Sequence, residues 1–296
     1  MERKFILTCG STVDMPYEYI VEQREIPVIY YTYQMNGKVC VDNMDNPKGS
    51  LDEFYQAIKD GALPSTSQIN VDAYLQFFRE QAKNGPVLHI AFGSGMSSSV
   101  NNAMTAAEML KEEDPTADVH VVDSLGSSSG YGLLVDEAAD RRDQGMTRDE
   151  VEQWVLSVRN TVHHQFYSTD LTMFRRGGRV SGPAAAIATI LNICPIMHLN
   201  AEGRIIAYGK VRGKKNAQLE TVRTVEEHIQ NGHDYSGKIF ICNSHCIEDA
   251  ESTAALLRER FPKADIRIYD IGTIIGCHTG FGTVAVFFFG DERGME

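Results

Sequence analysis

The strongest constraint on the fold is an alternation of short apolar runs with amphipathic helical stretches, and residues 87–110 carry it most clearly. Residues 87–92 (VLHIAF) form a continuous apolar run with β-branched members, which suits a strand covered on both faces. A Gly/Ser-rich turn follows, and then Val100, Ala103, Met104, Ala107 and Leu110 recur at helical spacing. Further strands are expected near 5–8, 26–31 and 119–123, with helices near 51–58, 71–82 and 151–158. Asn36-Gly37 reads as a hairpin turn. Ser50/Glu53 and Thr147/Glu150 read as capping boxes. Strand and helix in this order predict a mostly parallel sheet with helices on both faces. Ligands of such sheets gather beyond the carboxyl ends of the strands.

The loops at those ends are rich in hydroxyls: Ser11 and Thr12; Ser94 with Ser97, Ser98 and Ser99; Ser124 with Ser127, Ser128 and Ser129. Another, Pro64-Ser65-Thr66-Ser67-Gln68, leads into a helix. Hydroxyls at a helix N-terminus can hold an anion, because the first-turn N–H groups lack intrahelical partners; they can equally serve as simple caps. Beyond residue 160 the pattern changes. A basic glycine turn (Arg175, Arg176, Gly177, Gly178, Arg179) precedes a small-residue helix opened by Pro183 and containing Ala184, Ala185 and Ala188. Paired strands are expected at 195–199 and 204–211, a βαβ-like unit over 238–269, and a glycine-rich turn at 276–282 that carries His278 into a last strand at 284–289. The expected architecture is α/β in two domains: residues 1–160 with a mostly parallel sheet, and residues 161–296 with a mixed sheet.

A net charge of −12 on 296 residues argues against nucleic acid or an anionic membrane surface as a general partner. Residues 171–216 oppose that average. They hold Arg175, Arg176, Arg179, Arg204, Lys210, Arg212, Lys214 and Lys215 against Glu202 alone, so the segment is +7 and the remainder −19. Such an island points to a local anionic partner. The six cysteines are scattered in apolar contexts and read as buried thiols. Cys242, His245 and Cys246 lack a second ligand pair at zinc spacing, so no metal site is expected. Neither a G-x-G-x-x-G fingerprint after the first strand nor a G-x-x-x-x-G-K-[ST] loop is present. The N-terminal apolar run is too short for a signal peptide, and no window of 18 apolar residues is free of charge, so a cytoplasmic protein is expected.

Eight short stretches fall in order along nearly the whole chain. They are Ser11-Thr12-x-Asp14-x-Pro16, Thr66-Ser67-Gln68, Ser94-x-Met96-Ser97, Asp123-Ser124, Arg176-Gly177-Gly178-Arg179, Pro195 before the Gly203 turn, Lys210-x-Arg212, and Gly276-x-His278-x-Gly280-x-Gly282. Together they resemble the DegV family of bacterial fatty-acid-binding proteins, which includes the fatty-acid-binding subunits of fatty acid kinase. The resemblance implies a carrier rather than an enzyme, with no catalytic residues, no metal and no cofactor apart from a bound long-chain fatty acid. Thr66, Ser97, Ser98 and His278 would surround the carboxylate, and Phe92, Met96, Ala185 and Ala188 would line an interdomain tunnel for the acyl chain. The implied partner is a kinase catalytic subunit that phosphorylates the bound carboxylate, with Arg179 and Arg212 contacting phosphate or partner. The chain departs from the family pattern at Gly10, Ser98 and Phe281. A rival reading is a serine hydrolase acting on acyl esters with Ser97 as nucleophile and His278 as base. It lacks the G-x-S-x-G elbow and an evident acid to orient the histidine. A phosphotransferase acting alone would need the missing phosphate loop.

Overall fold

Two sheets of different character organise the chain, whose computed structural model describes residues 3–180 and 192–295. The first half runs β1 (Ile6–Gly10), β2 (Val28–Ile29), β3 (Thr32–Met35), β4 (Lys38–Val41), α1 (Ser50–Lys59), β5 (Ser65–Ser67), α2 (Val71–Ala82), β6 (Val87–Ala91), α3 (Ser99–Glu113), β7 (Val119–Asp123), α4 (Ser128–Asp143) and α5 (Arg148–Val158). The second runs β8 (Val162–Ser168), α6 (Thr172–Gly177), β9 (Ile193–Leu199), β10 (Ile205–Arg212), α7 (Lys214–His228), β11 (Lys238–Asn243), α8 (Ile247–Arg260), β12 (Asp265–Asp270), α9 (Thr273–Thr279) and β13 (Thr283–Phe289).

The N-terminal sheet is parallel throughout, in the order β2-β1-β6-β7. Every residue of β6 is buried, and alternation divides them between two faces. His89 points to α2, where its ring packs edge-on against Tyr74 and Phe78 and its Nδ1 lies 2.9 Å from Thr8 Oγ1. Leu88 and Ile90 point the other way, into the core shared with Leu133 and Leu134 of α4. Helices therefore cover both faces. The C-terminal sheet is mixed, in the order β10-β9-β8-β13-β11-β12, and among the described strands β11 and β12 are its one parallel pair, joined through α8. Val284, Val286, Phe288 and Tyr167 face α7 and α8, where they pack with Val225, Ala254 and Leu257.

Between the sheets lies α4, buried on nearly all sides. Its Tyr131 hydroxyl accepts from Gly10 N (2.8 Å) and donates to Ile90 O (2.6 Å). The fully buried Asp136 carboxylate pairs with Lys238 Nζ at 2.7 Å and Arg24 at 2.9 Å, and accepts from Tyr19 Oη at 2.8 Å. One helix thus ties β11 of the mixed sheet to the N-terminal unit. Among the described residues no helix is long and apolar enough to cross a membrane.

Local signals were realised unevenly. Thr147 and Glu150 form the capping box in full, and Asn36-Gly37, both at positive φ, turn β3 into β4. At α1, however, Ser50 is the first helical residue and not the cap. Asp45 accepts from Gly49 N, Leu51 N and Ser50 Oγ, so an acidic side chain from the preceding loop does the capping. Residues 65–67 are not a loop. They form β5, which pairs antiparallel with β3 in a three-stranded sheet of order β4-β3-β5, while Asn70 caps α2 through Ala73 N at 2.8 Å. The stretch before the last strand is not simply a turn either: α9 occupies Thr273–Thr279. Helix α7 gave little periodic signal because its buried face includes Gln218, Thr221 and Thr224.

Candidate binding cleft

The loops beyond the carboxyl ends of β1, β6 and β7 contribute Thr12, then Phe92, Met96 and Ser97, then Ser127 and Ser128 to the wall of one cleft. The inner face of the mixed sheet supplies the opposite wall. There the β8–β13 register sets Phe166 beside Ala285 and His164 beside Phe287. Phe174, Leu199, Ile205, Ile271, Ile274 and Ile275 extend the apolar lining. The space between the walls, open mouth included, is about 1080 Å³.

One end of the cleft is polar. Thr66 sits on β5 opposite Tyr33, and its Oγ1 lies 2.9 Å from Nε2 of His278 in the last turn of α9. His278 Nδ1 is buried without a hydrogen-bond partner. The end of α6 approaches so closely that a Cβ on Gly177 would lie 2.4 Å from that nitrogen, which leaves room only for glycine. Arg176 donates to Leu63 O (3.1 Å) and Pro64 O (2.6 Å) and so fastens α6 to the entry of β5. Ser97 approaches from the other side. Its Oγ accepts from Ser99 N at 3.2 Å, a local turn that opens α3. Its loop is pressed onto the β9–β10 turn, where a Cβ on Gly95 would meet Glu202 O at 2.4 Å. Arg179 spans the mouth between the two, with Nε 3.4 Å from Met96 O and its guanidinium also donating to Gly177 O.

Burial first, and then the Arg179 and Arg176 charges, push His278 down to about 4. At neutral pH the end of the cleft therefore combines a neutral imidazole, hydroxyl donors and adjacent cations, an arrangement suited to an anion. Deeper in, His164 Nε2 accepts from Ser127 N at 3.0 Å, leaving Nδ1–H to donate to Val162 O. Burial holds this ring well below the ordinary histidine value.

The structure brings Thr66, Ser97, His278, Phe92, Met96 and Arg179 to this one cleft. It does not bring Ser98, which is exposed as the N-cap residue of α3 and makes no side-chain cap bond. Nor does it bring Arg212. That residue is exposed at the far end of β10, about 20 Å of strand beyond Ile205 at the cleft wall. Ala185 and Ala188 lie outside the described residues. The basic island is dispersed: Arg204 pairs with Glu202 and Lys214 with Asp249, and Arg176 is spent on backbone carbonyls. Thr66 is also not at a helix N-terminus; the helix N-termini at the cleft are those of α3, beside Ser97, and α4, at Ser127 and Ser128. Of the departures from the family pattern, Gly10 donates its N–H to Tyr131, and Phe281, which is not among the lining residues, packs on Tyr55 with ring centroids 5.3 Å apart. Sequence reasoning missed Tyr31, His164 and Phe166 as wall residues. The alternation of β8 against β13 was the signal that could have found the last two. Ser97 and His278 do not form a nucleophile–base pair, since Nε2 is engaged by Thr66 and no acid reaches Nδ1. The thiols of Cys242 and Cys246 also diverge, towards Ser129 Oγ and Thr283 O.

The two sheets and this cleft define a two-domain α/β protein with an apolar interdomain channel ending in hydroxyls, an imidazole and guanidinium groups. The family model described as an uncharacterised protein of the DegV family matches residues 4–291. A DegV domain-containing protein of Clostridium perfringens is 36% identical over 295 residues, covering 98% of this chain and 99% of that one. The chain belongs to the DegV family. Its fold is similar to that of a fatty acid binding DegV family protein from Streptococcus agalactiae, with a TM-score of 0.83 at 27% identity over 98% of this chain and 100% of the other. It is likewise similar to the Streptococcus pneumoniae fatty acid kinase B3 protein loaded with linoleic acid, with a TM-score of 0.83 at 19% identity over 97% and 100% of the two chains.

Proposed function

We propose that this protein binds a long-chain fatty acid in the interdomain cleft and presents its carboxylate to a partner kinase, which forms the acyl phosphate. The observation that carries the reading is the cleft itself, apolar along its walls and closed by Thr66, His278 and Ser97 at one end. Each buried methylene contributes about 0.8 kcal/mol, so the acyl chain supplies most of the affinity and the polar end fixes orientation. The carboxylate accepts hydrogen bonds from the Thr66 and Ser97 hydroxyls. For Thr66 to donate to the ligand, His278 Nε2–H must donate to Thr66 Oγ1, so the ligand selects that tautomer. Arg179, exposed at the mouth and 3.4 Å from Met96 O, is placed to meet an added phosphate. The similar S. agalactiae and S. pneumoniae proteins, one fatty acid binding and one a fatty acid kinase protein loaded with linoleic acid, support the same reading.

Native mass spectrometry of the chain purified from bacteria, with lipid extraction, tests the binding. A non-covalent long-chain fatty acid is the expected adduct; an acyl ester on Ser97 would instead mark the hydrolase. With ATP and a fatty acid kinase catalytic subunit, Arg179→Ala is expected to retain lipid and lose phosphoryl transfer. Arg212→Ala serves as the distant comparison. Loss of lipid from Arg179→Ala with unaltered transfer per bound molecule would reverse the assignment.

A further inference from the structure

His163 and His164 are neighbours on β8 and so leave the sheet on opposite faces. His164 looks into the cleft; His163 looks out beneath α7, its ring stacked on Phe288 at 5.1 Å and on His228 at 5.0 Å. His228 is the last residue of α7, and Asp291 follows the end of β13. His163 Nε2 lies 3.0 Å from Asp291 Oδ1 and 3.0 Å from the backbone O of the same residue, a donor contact that a bound ion would replace as the ring proton moves to Nδ1. His228 Nδ1 lies 3.0 Å from Oδ1 of Asp291 and 3.2 Å from Oδ2. The three ligand atoms fall within 4.8 Å of one another, and among the described residues no other group of three such side chains converges in this way.

The two His–Asp separations are compatible with a coordination sphere. Bonds of about 2.0–2.2 Å to imidazole nitrogen and carboxylate oxygen place tetrahedral ligand atoms about 3.3 Å apart. The two His–Asp291 separations of 3.0 Å lie within a few tenths of an ångström of that value, and the two imidazole nitrogens lie within 4.8 Å of each other, so binding would draw the rings together about the carboxylate. Backbone bonds hold the frame: Asp291 N donates to His228 O at 3.0 Å and Gly290 N to Thr161 O at 2.8 Å. The buried His163 forms the floor, while His228 and Asp291 keep 38% and 61% of their side-chain surface, so an ion has a path from solvent and room for a water ligand. Two imidazoles with one carboxylate suit zinc and its neighbours among divalent ions, and not calcium or magnesium, which favour all-oxygen shells.

We propose that His163, His228 and Asp291 bind one divalent ion of the zinc class, closing the junction of β8, α7 and β13 on the side of the mixed sheet away from the cleft. The ion would act as a staple that is independent of the lipid. The test uses the full-length, tag-free chain stripped with a chelator, titrated with Zn²⁺ against a chromophoric competitor and, separately, with Co²⁺. One Zn²⁺ per chain, a tetrahedral Co²⁺ absorption band and a thermal midpoint raised by Zn²⁺ are the expected results. His228→Ala and Asp291→Asn alter exposed side chains. Each is expected to weaken Zn²⁺ binding tenfold or more and to leave fatty acid affinity unchanged. A wild-type chain without saturable one-to-one binding, or variants that bind Zn²⁺ as the wild type does, would overturn the proposal and leave a hydrogen-bonded His–Asp–His bridge.

Discussion

Replacing Thr66 by valine preserves shape and β-propensity at β5 while removing the hydroxyl that faces His278 Nε2 at 2.9 Å. Two consequences can be separated. Without ligand, His278 already has an unpartnered Nδ1 and loses the partner of Nε2 as well. Leaving a buried polar atom unpaired costs about 1–3 kcal/mol. For a chain of this size that lowers the thermal midpoint by a few degrees. With ligand, the variant loses a hydrogen bond to a charged carboxylate, worth about 1.5–3 kcal/mol. At about 1.4 kcal/mol per decade, Kd should rise roughly 10- to 150-fold. Displacement of a fluorescent fatty acid at 25 °C, where the variant remains folded by circular dichroism, measures the second effect alone. Ser97→Ala added to Thr66→Val should weaken binding further, since the two hydroxyls approach from different loops. A double variant that is folded and binds within twofold of the wild type would refute the placement of the carboxylate.

His278 sets a pH dependence with a definite sign. Its value in the free protein, pushed down to about 4, lies below the ordinary 6.5, so the neutral ring it keeps costs folding stability as pH falls from 6.5 towards 4. A bound carboxylate favours the charged ring, so NMR titration should find the pKa raised with lipid present. Affinity should then strengthen as pH falls through the raised value while the ligand stays ionised; a pKa indifferent to lipid would make the ring structural only. Asp136→Ala strips the buried partner of Lys238 and Arg24 and should cost about 3–5 kcal/mol in urea unfolding, and a loss below 1 kcal/mol would show that Asp140 and Glu137 suffice to hold those cations.

Much of the scaffold was written locally. The apolar run at 87–92, the Asn36-Gly37 turn and the Thr147/Glu150 box work through residues within a few positions of one another, so the chain displays them before it folds. Strand–helix alternation then favours a parallel sheet, and with it the end at which the hydroxyl loops collect. The family motifs likewise drew attention to Thr66, Ser97 and His278. What the sequence could not show is which distant residues meet. Ser65–Ser67 became a strand because β3 offered an edge to pair with, and that pairing turns Thr66 towards a histidine 212 positions away. Ser97 and not Ser98 reached the cleft because Gly95 lets its loop seat on the Glu202–Gly203 turn. Arg212, so close to Lys210 and the motif around it, ended at the wrong end of its strand. His163 and His164 differ by one position, yet strand alternation gives one to the cleft and the other to His228 and Asp291, residues 65 and 128 positions further on. Propensity and capping act over a single turn of chain, whereas these meetings depend on sheet register and on the clearance left by a missing Cβ, and both exist only once the two sheets have closed on α4.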